Sequence, residues 1–175
     1  MNFYFNYEKG GDRVDVVLNQ QQLAALCDVL GHTNNGFTKK ELTRLLQKSG
    51  IELVDDGSFN NGLVYKIGLN KRDWLYNCLA NEINTSHSLN KIYIFLEIAF
   101  DPVSFTDEAK RDKYNYLLES SNKVLLLAGI TITPEGKLKK AVPAKTLDEV
   151  DRRVNSLKKQ LYNRAIHNEV QKYCI

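Results

Sequence analysis

The stretch that most restricts what this chain can fold into is Ile92-Tyr-Ile-Phe-Leu-Glu-Ile-Ala-Phe100, apolar at every position but Glu97. No surface orientation keeps such a run out of water, so it belongs in a core. Periodicity does not separate a buried helix from a buried strand here, and the β-branched content leaves a strand open. Length and punctuation favour a helix over 90–100. Asn90 stands where an N-cap belongs, Leu89 and Ile94 occupy staple positions, and Pro102 forbids continuation. The lone carboxylate of Glu97 then needs a partner, expected among Lys91, Arg111 and Lys123, with a catalytic carboxylate as the remoter reading.

Upstream, residues 2–7 and 13–18 flank Glu-Lys-Gly-Gly-Asp and read as a hairpin with a Gly-Gly turn. Asn19 caps a helix with Leu23, Leu26, Cys27 and Leu30 on one face, and Gly31 stops it. Thr38 and Glu41 form a capping box stapled by Phe37 and Leu42, and Gly50 ends that helix. Between Ile51-Glu-Leu-Val54 and Leu63-Val-Tyr-Lys-Ile67 the turn signals Asp-Asp-Gly and Asn-Asn-Gly predict a short strand pair. Asn70 caps a helix over 71–83, with Trp74, Leu75, Cys78, Leu79 and Ile83 inward, followed by a polar loop over 84–88.

Beyond Pro102, Thr106 opens a long helix whose stripe is Tyr114, Leu117, Leu118, Ser121, Leu125 and Ala128. Residues 130–142 give a small hairpin across Pro-Glu-Gly136. A second capping box, Thr146 with Glu149, starts the last long helix with Leu147, Val150, Val154, Leu157 and Leu161 along its seam. Asn168 begins a further helical turn that lacks a C-terminal cap, which implies a polypeptide continuing past Ile175.

This pattern predicts an α+β fold, predominantly α-helical, with about six helices packed round the 90–100 helix and small peripheral hairpins. Residues 1–18 form the hairpin and 19–175 the helical domain. A hydrophobic share of 43% against 26% charged residues argues for a folded chain. Net charge is +3, mild for a dedicated nucleic-acid domain. No run reaches membrane-helix length and no secretory core opens the chain, so a cytoplasmic protein without a membrane partner is expected. Cys27, Cys78 and Cys174, odd in number and far apart, argue against a disulfide framework.

The chemistry-bearing residues are sparse. His32, His87 and His167 lie far apart and pair with no cysteine at a zinc-like interval, and Gly10-Gly11 lacks a phosphate-loop context, so neither metal nor cofactor is expected. Cys27 and Cys78 sit on apolar helix faces, where a thiol acts as a small hydrophobe. Lys137, Lys139, Lys140, Lys145, Arg152, Arg153, Lys158, Lys159 and Arg164 gather towards the end, a face that is either simply solvated or touches RNA or DNA. Helices at 20–30, 38–48 and 71–83 have winged helix-turn-helix lengths, with Lys71-Arg72 opening the third, yet that helix carries little base-reading chemistry.

Arg164-Ala-Ile-His167 is similar to the arginine and histidine pair of HEPN ribonucleases, but with a shorter spacing. Its alternative reading is a structural pair joining two helices.

Many stretches in order resemble one family: Leu26-Cys-Asp-Val-Leu-Gly, Phe37-Thr-Lys-Lys-Glu-Leu-Thr-Arg-Leu-Leu, Ser49-Gly-Ile51, Asn70-Lys-Arg-Asp-Trp-Leu-Tyr-Asn and Phe95-Leu-Glu-Ile-Ala-Phe-Asp-Pro102. Leu127-Ala-Gly-Ile130, Gly136-Lys137, Ala144-Lys-Thr-Leu-Asp-Glu149 and Arg164-Ala-Ile-His-Asn-Glu-Val-Gln-Lys-Tyr-Cys174 continue the match. Together they resemble the N-terminal domain, in its third variety, of AbiJ-type abortive-infection proteins of bacteria, across residues 20–174. The N-terminal hairpin departs from that pattern. The resemblance implies a non-catalytic sensor or adaptor of anti-phage defence. Such a domain normally precedes a HEPN-type module of the Ymh kind, here expected beyond Ile175.

Its expected partner is that effector or a phage-derived trigger. The rivals are a nucleic-acid module using Lys71, Arg72 or the basic C-terminal face, and a ribonuclease using Arg164 and His167.

Overall fold

Local capping signals set most element boundaries, and the computed structural model shows them at work over residues 2–9, 12–55 and 68–173, with side chains at 18–55, 68–108 and 110–163. The architecture is α+β and mainly helical. The chain divides into two compact units, Met1–Ala99 and Phe100–Ile175.

In the first unit, strands β1 (Asn2–Lys9) and β2 (Asp12–Asn19) pair antiparallel, from Asn2 opposite Asn19 to Lys9 opposite Asp12. Gly10 and Gly11, the expected turn, lie outside the described residues. Asn19 ends β2 and caps α1 (Gln20–Leu30). Its Oδ1 accepts the Gln22 N–H at 2.8 Å while the Gln22 side chain accepts the Asn19 N–H at 2.9 Å. Leu23, Leu26, Cys27 and Leu30 are buried, as their spacing predicts.

Helix α2 (Lys39–Lys48) begins with the expected box. Thr38 Oγ1 accepts the Glu41 N–H, and the Glu41 carboxylate accepts the Thr38 N–H at 2.6 Å. Its end closes with the Gly50 N–H on the Gln47 carbonyl and the Ile51 N–H on the Leu46 carbonyl. That pairing needs left-handed backbone at Gly50, where φ is 72°, and seats Ile51 in the core.

The expected strand at Ile51–Val54 is not formed: residues 51–55 are irregular, and its predicted partner over 63–67 lies outside the described residues. The segment is tied sideways instead. The Trp74 indole N–H donates to the Val54 carbonyl at 2.9 Å, and the Val54 N–H donates to Cys78 Sγ at 3.4 Å.

Asn70 caps α3 (Lys71–Ser86), accepting the Arg72 and Asp73 N–H groups. The helix outruns its expected end, so most of the predicted 84–88 loop is helical. Ser86 donates its hydroxyl to the Glu82 carbonyl, and His87 closes the helix in the left-handed region, φ 48°. A histidine replaces the glycine a sequence reader looks for.

Helix α4 (Asn90–Ala99) buries Ile92, Tyr93, Phe95, Leu96 and Ala99. Two expectations change. The Ser88 hydroxyl, not Asn90, accepts the first amide, from Asn90 itself, and Ile94 is 47% exposed, so the helix has a wet side. Within this unit α1 packs on α3 and α2 on α4.

In the second unit Asp101 caps a single 3₁₀ turn, Pro102–Phe105. Helix α5 (Glu108–Leu125) starts after Asp107 rather than Thr106, and the Asp107 carboxylate turns to Lys110 at 2.7 Å instead of capping. Tyr114, Leu117, Leu118, Ser121, Leu125 and Ala128 are buried as expected. Strands β3 (Ile130–Ile132) and β4 (Leu138–Lys140) form an antiparallel pair, and β3 lies along α5.

Asn122 fixes that contact. Its Nδ2 donates to the Ile132 carbonyl at 2.9 Å, and its Oδ1 accepts the Ile132 N–H at 2.7 Å and the Thr131 hydroxyl at 3.1 Å. A side-chain amide thus does the work of a neighbouring strand, satisfying backbone groups that burial would otherwise orphan.

Helix α6 (Leu147–Tyr173) is continuous. The expected break before Asn168 does not occur. Thr146 Oγ1 accepts the Glu149 N–H as expected, but the Glu149 carboxylate accepts the N–H of Lys145 and not that of Thr146, so half the box is displaced by one residue. Val150 and Val154 join Leu126 and Ala144 in a small core, whereas Leu147, placed on the seam by its spacing, is 73% exposed. Position 147 is the first residue of the helix, at the end of the seam. Among the described residues no helix is long and apolar enough to cross a membrane.

Candidate functional site

Three of the charged residues marked by the sequence turn out to be engaged in holding the fold. Lys71 donates its ammonium to the His32 and Phe37 carbonyls at 2.9 and 3.0 Å, pinning the loop between α1 and α2. Arg153 donates to the Val142 carbonyl and to the Glu149 carboxylate. Lys158 pairs with Glu119 at 2.6 Å.

Lys137, Lys139, Lys140, Arg152 and Lys159 are exposed. Lys71 and Arg72 stand in the first unit and the other marked residues in the second. Arg164 and His167 lie three apart inside α6, not at a junction between helices, and their side chains lie outside the described residues.

Two of the three partners proposed for Glu97, Lys91 and Lys123, bond to other carboxylates. Lys91 reaches Glu82 at 3.0 Å and Lys123 reaches Glu119 at 3.4 Å. Among the described residues of the first unit the buried carboxylate is Glu82, 6% exposed, one of whose oxygens takes the Lys91 ammonium. Sequence reading missed it because Glu82 falls between Leu79 and Ile83 on a helix whose neighbours at 81 and 84 are polar.

The thiols stay protonated. Burial, followed by the nearby Asp28 charge, pushes the Cys27 pKa far up, and burial raises that of Cys78 against the Val54 amide. A raised pKa disfavours the thiolate that a nucleophilic cysteine needs. Among the described residues no three His, Cys, Asp or Glu side chains gather closely enough to hold a metal ion.

What the sequence did not reveal is an open cleft of about 340 Å³ between α1 and α3, lined by Gln20, Gln21, Ala24, Asp28, Arg72, Asp73 and Tyr76, with Cys27 at its base. Local geometry makes it. The small Ala24 fills little of the space between the polar faces of the two helices, and Leu23, Leu26, Leu75 and Leu79 of the same helices are buried.

Arg72 is only loosely held there: its guanidinium lies 3.8 Å from Asp28 and 3.5 Å from the Thr33 hydroxyl. Asp73 accepts from the Asn70 amide at 2.6 Å. Two carboxylates, one guanidinium, two carboxamides and a phenol thus face one opening, with donors and acceptors in balance. Of the marked residues only Arg72 belongs to it. The rest escaped notice because the cleft is built from residues far apart in sequence, each unremarkable on its own helix.

No family model, no curated protein and no solved structure matches the chain.

Proposed function

We propose that this chain is the sensor or adaptor domain of a bacterial abortive-infection protein, binding a phage-derived trigger or the effector module that accompanies such domains, and making and breaking no bonds itself. The resemblance of its ordered motifs to the AbiJ-type N-terminal domain supplies the biological setting. The observation that carries the reading is the cleft between α1 and α3. Its mixed donors and acceptors around Arg72 and Tyr76 suit a polar, peptide-like surface, while Asp28 and Asp73 repel a polyanion. The loose hold on Arg72 leaves its guanidinium able to turn to a ligand carboxylate or carbonyl.

The test is defence itself. Bacteria carrying the gene and challenged with a phage panel should give fewer plaques than bacteria without it, and Arg72→Ala with Tyr76→Ala should restore them while the melting temperature holds. Equal plaque counts with and without the gene would overturn the reading.

A ribonuclease role for Arg164 and His167 predicts a different result: purified protein would cut labelled RNA, and His167→Ala would stop it. Intact RNA is the expected outcome.

A second reading, contact with nucleic acid, is favoured by one observation. Arg152 and Lys159 lie two helical turns apart on the exposed side of α6, and Lys137, Lys139 and Lys140 are exposed in the same unit.

A further inference from the structure

The β3–β4 hairpin ends in an open edge. In its register Ile130 lies opposite Lys140, Thr131 opposite Lys139 and Ile132 opposite Leu138. The Thr133 N–H donates to the Lys137 carbonyl, and the Ala141 N–H donates to the Gly129 carbonyl. Alternation along an antiparallel ladder therefore turns the backbone groups of 137, 139 and 141 inward. Those of Leu138 and Lys140 turn outward, and among the described residues they have no hydrogen-bond partner.

The opposite edge is closed at Ile132, whose outward N–H and C=O are taken by Asn122.

The open edge is also held rigid. The Tyr114 hydroxyl donates to the Pro134 carbonyl at 3.0 Å, and Gly136, with φ 74°, lies so close to the Phe100 carbonyl that a Cβ would stand 1.9 Å from its oxygen. At the other end the Ala144 N–H donates to the Leu126 carbonyl at 2.9 Å. Such an edge loses little conformational freedom when another strand joins it.

Its charge selects the strand. Lys137, Lys139 and Lys140 are exposed along it and form no ion pair among the described residues. Lysines on an edge repel a second copy of the same edge, and for the same reason attract an acidic one.

We infer that β4 is a docking edge that accepts an acidic extended peptide segment as an added strand, through the N–H and C=O groups of Leu138 and Lys140. This site lies in the second unit and stands or falls independently of the α1–α3 cleft and of the defence reading.

The experiment titrates the full chain into a fluorescein-labelled peptide of alternating glutamate and valine and follows anisotropy. Saturable binding is expected. The same peptide N-methylated at every residue keeps its carboxylates but has no N–H to give, and it should bind at least about tenfold more weakly. Lys140→Pro removes an outward donor without touching the hairpin's own bonds and should weaken binding similarly.

If that variant does not fold, the methylated peptide still decides. Absence of binding, equal binding of the methylated peptide, or tighter binding of an oligothymidylate at the same salt would each overturn the inference. The last result would assign the lysines to phosphate contact.

Discussion

Glu119 shows how one side chain can tie two parts of a unit together. It sits on α5 and takes Lys158 of α6 and Lys123 one turn along its own helix. Burial works to raise its pKa, and the two ammonium groups together outweigh burial and lower it. The folded state therefore favours the charged form, so the stabilisation is present above the ordinary carboxylate range and is lost as pH falls through the depressed folded value. Glu119→Gln should lower stability at neutral pH by about 0.5 kcal/mol, a small figure because Lys158 is half exposed. Thermal melts should show a drop of roughly 2 °C at pH 7 that closes as pH falls through the depressed folded value.

None of this was visible in the sequence. The pair joins residues 39 apart. Lysines 158 and 159 are equivalent in the text of the chain until the helix rotates one of them towards Glu119.

At the scale of elements, the sequence was readable where the signal is local and hard to read where it depends on what lies across the gap. Asn19, Thr38 and Asn70 cap as read, because the cap and the amide it satisfies are within three residues. The start of α4 misled because Ser88 and Asn90 are both good caps and only packing chooses between them. The end of α3 misled because His87 takes the left-handed position without being glycine.

Gly136 lies between these cases. Its place in Pro-Glu-Gly reads as a turn, but the need for glycine comes equally from the Phe100 carbonyl beside it. Gly136→Ala should therefore destabilise by about 3–4 kcal/mol, from left-handed strain of about 1–2 kcal/mol plus displacement of a backbone carbonyl. A lower urea midpoint with an unchanged slope would confirm it, and an unchanged midpoint would show that the close approach is relieved at little cost.

Across the molecule, the basic excess of three charges is spread thinly. Lys71, Arg153 and Lys158 are engaged within their units, and the exposed Asp148 and Asp151 near Arg152 dilute the basic charge left to meet phosphates. A single-stranded oligonucleotide titrated at about 50 and about 200 mM salt should lose about tenfold in affinity or less, whereas a protein making many phosphate contacts loses about a thousandfold or more. A steep dependence, reduced by Lys158→Ala with Lys159→Ala, would favour the nucleic-acid reading instead.

The chain's only tryptophan is anchored through its ring nitrogen to Val54, and the Lys39 ammonium stands 5.3 Å from its ring centre. It also shares a helix with Arg72, Asp73 and Tyr76, the α3 wall of the cleft. The protein therefore carries a built-in optical gauge. Its emission should lie towards the blue in the native state, and occupancy of the neighbouring opening or release of the 51–55 strap would change its intensity or colour, with no dye attached.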